Sequence, residues 1–137
     1  MNQRTIPTIL MLASLFFGAS AQEQNMKVKI SNLERETTLV DNITTSSSTS
    51  SVVPNFPVVR GGVQEHLNFE DVDWIIVRHD LPPSDPNRFI SVELEFRDGR
   101  SGLYEMVKYI RFSGKAGEDS FSIKLMNINT VEVVHKR

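Results

Sequence analysis

The chain has 137 residues, one domain's worth, of which 39% are apolar and 23% charged, with no Cys and a formal net charge of −2. The lack of Cys excludes a disulfide framework, a thiolate zinc site, an iron–sulfur cluster, a cysteine nucleophile and a lipidated N-terminal Cys. A mildly acidic balance argues against nucleic-acid and anionic-lipid partners, because both select a basic face.

The first 21 residues read as an export signal. Arg4 opens a polar start, an apolar run extends from Ile6 to Phe17, and Gly18-Ala19-Ser20-Ala21 gives the small-x-small pattern that a signal peptidase accepts. Such a run makes roughly 18 Å of helix, short of the roughly 30 Å hydrocarbon core, so a cleavable signal is expected rather than an anchor. Cleavage would leave Gln22 at the mature N-terminus and no membrane span. The mature segment keeps 14 of the 15 Lys+Arg, since only Arg4 leaves, against all 17 Asp+Glu, and its one Ala is Ala116. A Cys-free exported chain suits a bacterial periplasm or secreted fraction, because its stability must come from burial and hydrogen-bonded ladders alone.

Helix signals are nearly absent after residue 21, while alternation is frequent. Val28-x-Ile30, Val92-x-Leu94-x-Phe96, Ile110-x-Phe112, Phe121-x-Ile123-x-Leu125 and Val131-x-Val133 each have the period-two pattern of a strand. The continuous run Trp74-Ile75-Ile76-Val77 predicts a strand covered on both sides. Asp98-Gly99 predicts a tight hairpin pairing 89–97 with 101–107, and Ser113-Gly114-Lys115-Ala116-Gly117 a looser one. Thr44 to Ser51 is eight hydroxyl residues in a row, followed by Pro54, Pro57, Gly61 and Gly62, so 44–62 reads as a long mobile loop. Three prolines in 80–88 predict a linker.

Residues 26–79 and 89–137 follow one pattern. At an offset of 64, Val28 falls on Val92, Ile30 on Leu94, Leu39 on Leu103, Asp41 on Glu105 and Ile43 on Val107. At an offset of 56, Leu67 falls on Ile123, Phe69 on Leu125, Val72 on Ile128, Ile75 on Val131, Val77 on Val133 and His79 on His135. The expectation is one all-β domain, 22–137, of about eight antiparallel strands from two related four-stranded halves. The first half carries an insertion at the hydroxyl run. A small sandwich or a pair of barrels satisfies this count. The cadence strand, Asp-Gly turn, strand, Gly loop, strand, short turn, strand resembles small SH3-like barrels, and implies no function by itself.

Chemistry-bearing patterns are sparse. There is no Gly-x-Ser-x-Gly elbow or Ser-x-x-Lys for a serine nucleophile, and no Asp-x-Asp-x-Asp loop for calcium. His66, His79 and Asp80 are the metal-ligand candidates, without diagnostic spacing. Glu93, Glu95 and Glu132 alternate with apolar residues and read as a solvated face. Tyr104 is out of phase with Leu103, and Tyr109 with Ile110 and Phe112. With Arg100, Lys108 and Arg111 they form a candidate recognition surface. Phe56, in an apolar Pro-containing stretch of the polar loop, is the remaining binding candidate. The expected function is a non-catalytic binding or structural module of the cell envelope or secreted fraction. It would have a protein or glycan partner and no cofactor. The alternatives are a small envelope hydrolase or metal enzyme, and an exported inhibitor or effector of a partner enzyme.

Overall fold

A computed structural model of the chain describes residues 26–47 and 52–135. The expected export signal and residues 48–51 of the hydroxyl run lie outside them. The described residues form ten strands: β1 (Lys27–Asn32), β2 (Thr37–Ser46), β3 (Asn55–Arg60), β4 (Val63–Asn68), β5 (Val72–Val77), β6 (Phe89–Phe96), β7 (Ser101–Val107), β8 (Arg111–Ala116), β9 (Asp119–Lys124) and β10 (Ile128–Val134). The only helical pieces among them are single 3-10 turns at Phe69–Asp71 and Leu125–Asn127, which lead into β5 and β10.

All neighbours pair antiparallel in one sheet, in the order β4-β3-β7-β6-β5-β10-β1-β2-β8-β9, which curls into a half-barrel. Exchanging β1–β5 for β6–β10 in that order gives the same order reversed. Each hairpin β3–β4 and β8–β9 therefore pairs not with the strand before it but with the other segment: β3 with β7 and β8 with β2. The centre is the β5–β10 pair, with Ile75 opposite Val131. Reciprocal hydrogen bonds cross it. His79 Nε2 bonds Ile128 O and His135 Nε2 bonds Val72 O, both at 2.9 Å. The Leu33 N–H donates to Asn127 O, and the Arg97 N–H to Asp71 O.

The register assigns the faces. Val28, Ile30, Ile75, Val77, Val92, Leu94, Tyr104, Met106, Val131 and Val133 point into the curl, where all are buried. Phe56 on β3, Phe112 on β8 and Phe69 in the first 3-10 turn fill it, with ring centroids 4.9 Å apart for Phe56–Phe69 and 6.2 Å for Phe69–Phe112. The reservoir of stability is this interior, because each such side chain is worth roughly 1.5–3 kcal/mol when fully removed from water.

Several expectations change. There are ten strands rather than about eight, in one curled sheet rather than a sandwich or a pair of SH3-like barrels. The region 44–62 holds the end of β2 and all of β3, and Thr45 bridges Val53. Gly114 lies inside β8, and the hairpin turn falls at Gly117-Glu118 instead. Trp74 and Ile76 are half-buried on the outer face, so the β5 run is not covered equally on both sides.

Candidate binding face

The outer faces of β3, β4 and β7 carry adjoining hollows. Antiparallel register sets Val59 opposite Gln64 and Glu105, and Pro57 opposite His66, so these side chains share a face with Leu103 and Val107. Val59 lines three concavities of about 360, 300 and 280 Å³. The largest is walled by Val53, Pro57, Val59, Val107 and Ile110, with Thr45, Ser46, Ser47, Gln64 and His66 as its polar groups. The next runs past Leu103, Tyr104, Arg60 and Glu105, and the third past Arg88, Phe89 and Val107. Leu103 is 54% exposed and Val63 67%.

Polar groups along this face are held in place. The Ser84 N–H and hydroxyl, on the proline-rich connection, both donate to the Glu105 carboxylate. Arg60 stacks over the Tyr104 ring at 5.0 Å and its Nη1 donates to the hydroxyl at 3.2 Å. Lys108 Nζ donates to Pro86 O at 2.8 Å. The connection from β5 to β6 is therefore pinned across the sheet.

At the matched positions of β1, β2, β8 and β9 the composition differs. Lys115 stands in the place of Val59, Ser113 of Pro57, Ser120 of Gln64, Ser122 of His66 and Lys29 of Glu93. Asn42 is an extra residue in β2, with φ 56° where the β2–β8 register shifts, so Thr44 matches Val107. One wing of the outer face is apolar and notched, and the other is basic and hydroxylic.

The residues singled out in the sequence scatter over this frame. Tyr104 is buried at 8% exposure, because Val92 pairs with it and turns it inward. Phe56 is fully buried in the aromatic cluster. Arg100 lies in the β6–β7 turn, over the Phe96 ring. At the opposite end of β7, Tyr109 is 52% exposed with the ammonium groups of Lys108 and Lys124 over its ring. Arg111 on β8 donates to Ser122 Oγ. Seven residues of β7 span about 23 Å, so Arg100 and the Lys108–Tyr109–Arg111 group do not make one patch.

The metal candidates also separate. His66 is on the edge strand β4, and its Nδ1 bonds Asn55 Oδ1 at 2.9 Å. His79 follows β5, with three strands between in the sheet, and Asp80 forks onto Arg78. Among the described residues no group of three or more His, Cys, Asp or Glu could hold a metal ion. The ionic shifts belong to strand-end pairs. Arg78, which also bonds Glu93 at 2.7 Å, holds Asp80 below the usual carboxylate range. The Arg100 N–H, and then its guanidinium, do the same for Asp98.

These features define an open, curled, ten-stranded antiparallel sheet protein with a notched outer face on one wing. Among solved structures, the chain is similar to the crystal structure of protein VPA1032 from Vibrio parahaemolyticus, with a TM-score of 0.52 and 6% sequence identity. The match covers 92% of this chain and 57% of that one, so this chain spans little more than half the other's length, and the likeness is one of fold. No protein-family model and no curated protein matches the sequence.

Proposed function

We propose that this chain is an exported, non-catalytic binding module made by internal duplication, whose partner is a protein or glycan of the cell envelope or secreted fraction. Its binding face is the outer surface of β3, β4 and β7. The observation that carries this reading is the difference between matched positions. In a duplicated sheet the two wings start alike, and here one carries Val, Pro and His around a set of hollows where the other has Lys and Ser. Exposed apolar side chains gathered beside concavities mark interaction sites.

Leu39 and Leu103 supply the test, since they occupy matched positions and are 47% and 54% exposed. In affinity capture from an envelope extract, Leu103→Glu should reduce recovery of the partner about tenfold, as expected for losing an apolar anchor. Leu39→Glu should leave it unchanged. Equal loss from both variants, or from neither, overturns the assignment of the face.

Duplication makes its own prediction. Lys27 pairs with Val134, just as the Arg78 N–H meets Ser91 O where the β5–β6 connection begins. Met26 and His135 are thus placed to be joined by a copy of that connection. A circular permutant opened between Pro82 and Pro83 and closed this way should keep the far-UV signature of the sheet. Its stability should lie within about 2 kcal/mol of the original, because loop closure costs change slowly with length. A permutant that unfolds would count against equivalent halves.

A further inference from the structure

We infer that the 360 Å³ hollow where β2 meets β3 and β4 is a binding site for a small uncharged amphiphile, with an apolar body and one hydrogen-bonding head such as an amide. The inference deepens the proposed binding face by naming a ligand class for its largest hollow. Three observations carry it.

The first is the lining. Among the described residues, none of the ten that wall the hollow is Lys, Arg, Asp or Glu. A charged ligand entering there would give up its hydration without a counter-charge, whereas an apolar body is received by Val53, Pro57, Val59, Val107 and Ile110.

The second is the polar group at the rim. With Asn55 Oδ1 accepting, a proton sits on His66 Nδ1, and in the neutral ring this leaves Nε2 with a lone pair to accept from a ligand N–H or O–H.

The third is where the two segments differ in length. Three residues, 108–110, separate β7 from β8, but eight, 47–54, separate β2 from β3. Ser47 and Val53, from the longer connection, line the hollow, and the Thr45–Val53 bridge fastens its far end. At matched positions in the other wing, Lys115, Ser113 and Thr44 replace Val59, Pro57 and Val107, so the apolar lining is confined to the wing of β3, β4 and β7, to which both segments contribute.

The test titrates the protein with hexanamide and follows the His66 ring and the Val59, Val107 and Ile110 methyl signals by NMR. These should shift saturably, with a dissociation constant of about a millimolar for so small a probe. The rings of His79 and His135 and the Leu39 methyls should stay in place. Hexanoate, which differs by its charge, should bind at least about tenfold more weakly. Val59→Lys, carrying the residue of the matched position, should abolish the shifts while circular dichroism and melting show the fold retained. Val107→Lys, at an exposed site, repeats the test should the first variant melt early. No saturable shift over the soluble range of hexanamide, or equal binding of hexanoate, overturns the inference. Hexanamide binding is independent of the extract capture. If it fails while Leu103→Glu still loses its partner, the binding face stands without this ligand; the reverse result retains the cavity and removes the face.

Discussion

Gly114→Ala is expected to destabilise the protein by about 3 kcal/mol, lowering the melting temperature by about 12 °C or more. The sign is the informative part. In an ordinary strand Ala is better than Gly by roughly 0.5–1 kcal/mol, because Gly loses more backbone freedom on folding. At Gly114 the added Cβ would overlap Asp41 O and lie 2.6 Å from Val40 Cγ1, with Asn42 O at 3.3 Å. Two of these three are backbone oxygens, which cannot swing aside as the end of a long side chain can.

The crowding has a local origin. β2 carries the extra Asn42 in a left-handed conformation, its register against β8 shifts between Asp41 and Thr44, and the bulge pushes its carbonyls onto β8. At the matched place in the other pair, Val58 of β3 lies beside β7, and β7 pairs with β6 without a break in register. The glycine and the bulge therefore belong together. Thermal melts of Gly114→Ala in the native chain and in a chain lacking Asn42 check this: the loss should be smaller without the bulge. A stabilising Gly114→Ala, or equal losses in both backgrounds, would show that the close approach does not limit the strand.

Much of the fold is legible in the sequence, for physical reasons. A segment with one Ala and frequent β-branched residues in period two has few ways to form helices, and the Asp98-Gly99 turn delivers the β6–β7 hairpin directly. What escapes is set by context. β4 is expected only through the match of Leu67 with Ile123, because Val-Gln-Glu-His-Leu-Asn has little apolar alternation of its own; an edge strand needs only one ladder partner and can expose nearly every side chain. β3 reads as loop because of Pro57, which is tolerated because β3 meets β7 only at Val59–Glu105 and is otherwise laddered on the β4 side alone.

The candidate site was less legible. Taking Leu103 as the inward residue turned Tyr104 outward, but counting across the hairpin pairs Leu94 with Gly102 and Val92 with Tyr104. That count puts Leu103, Glu105 and Val107 outside, which is the β7 share of the notched face. The rest of that face comes from β3 meeting β7 across the two segments, a pairing that local pattern does not encode. Of the residues chosen in the sequence, His66 lines the largest hollow, as a hydrogen-bonding group rather than as a metal ligand.

Phe69→Ala should be the most damaging single core change, at about 4 kcal/mol, a large part of the roughly 5–15 kcal/mol by which domains are stable. Phe69 is 1% exposed and is in ring contact with both Phe56 and Phe112, so one side chain joins β3 of one wing to β8 of the other through the mouth of the curl. Removing it costs the transfer of the ring, the cavity left behind and two aromatic contacts. Phe69→Leu should cost no more than about 1.5 kcal/mol, because Leu125 fills the matched 3-10 turn and is likewise fully buried. Chemical denaturation of both variants gives the comparison, and the double variant Phe56→Ala/Phe69→Ala should lose less than the sum of the singles, since the two rings share one contact. A Phe69→Ala loss below about 1 kcal/mol would mean that the hairpins are held by their ladders rather than by the ring cluster. The distinction bears on the outer face. Phe56 and Val58 anchor β3 from within while Pro57 and Val59 line the hollows on its other side, so the strand that shapes the binding face is only as rigid as the rings beneath it. Amide exchange along β3 should accelerate in Phe69→Ala more than along β1, whose neighbours β10 and β2 continue the ladder on both sides.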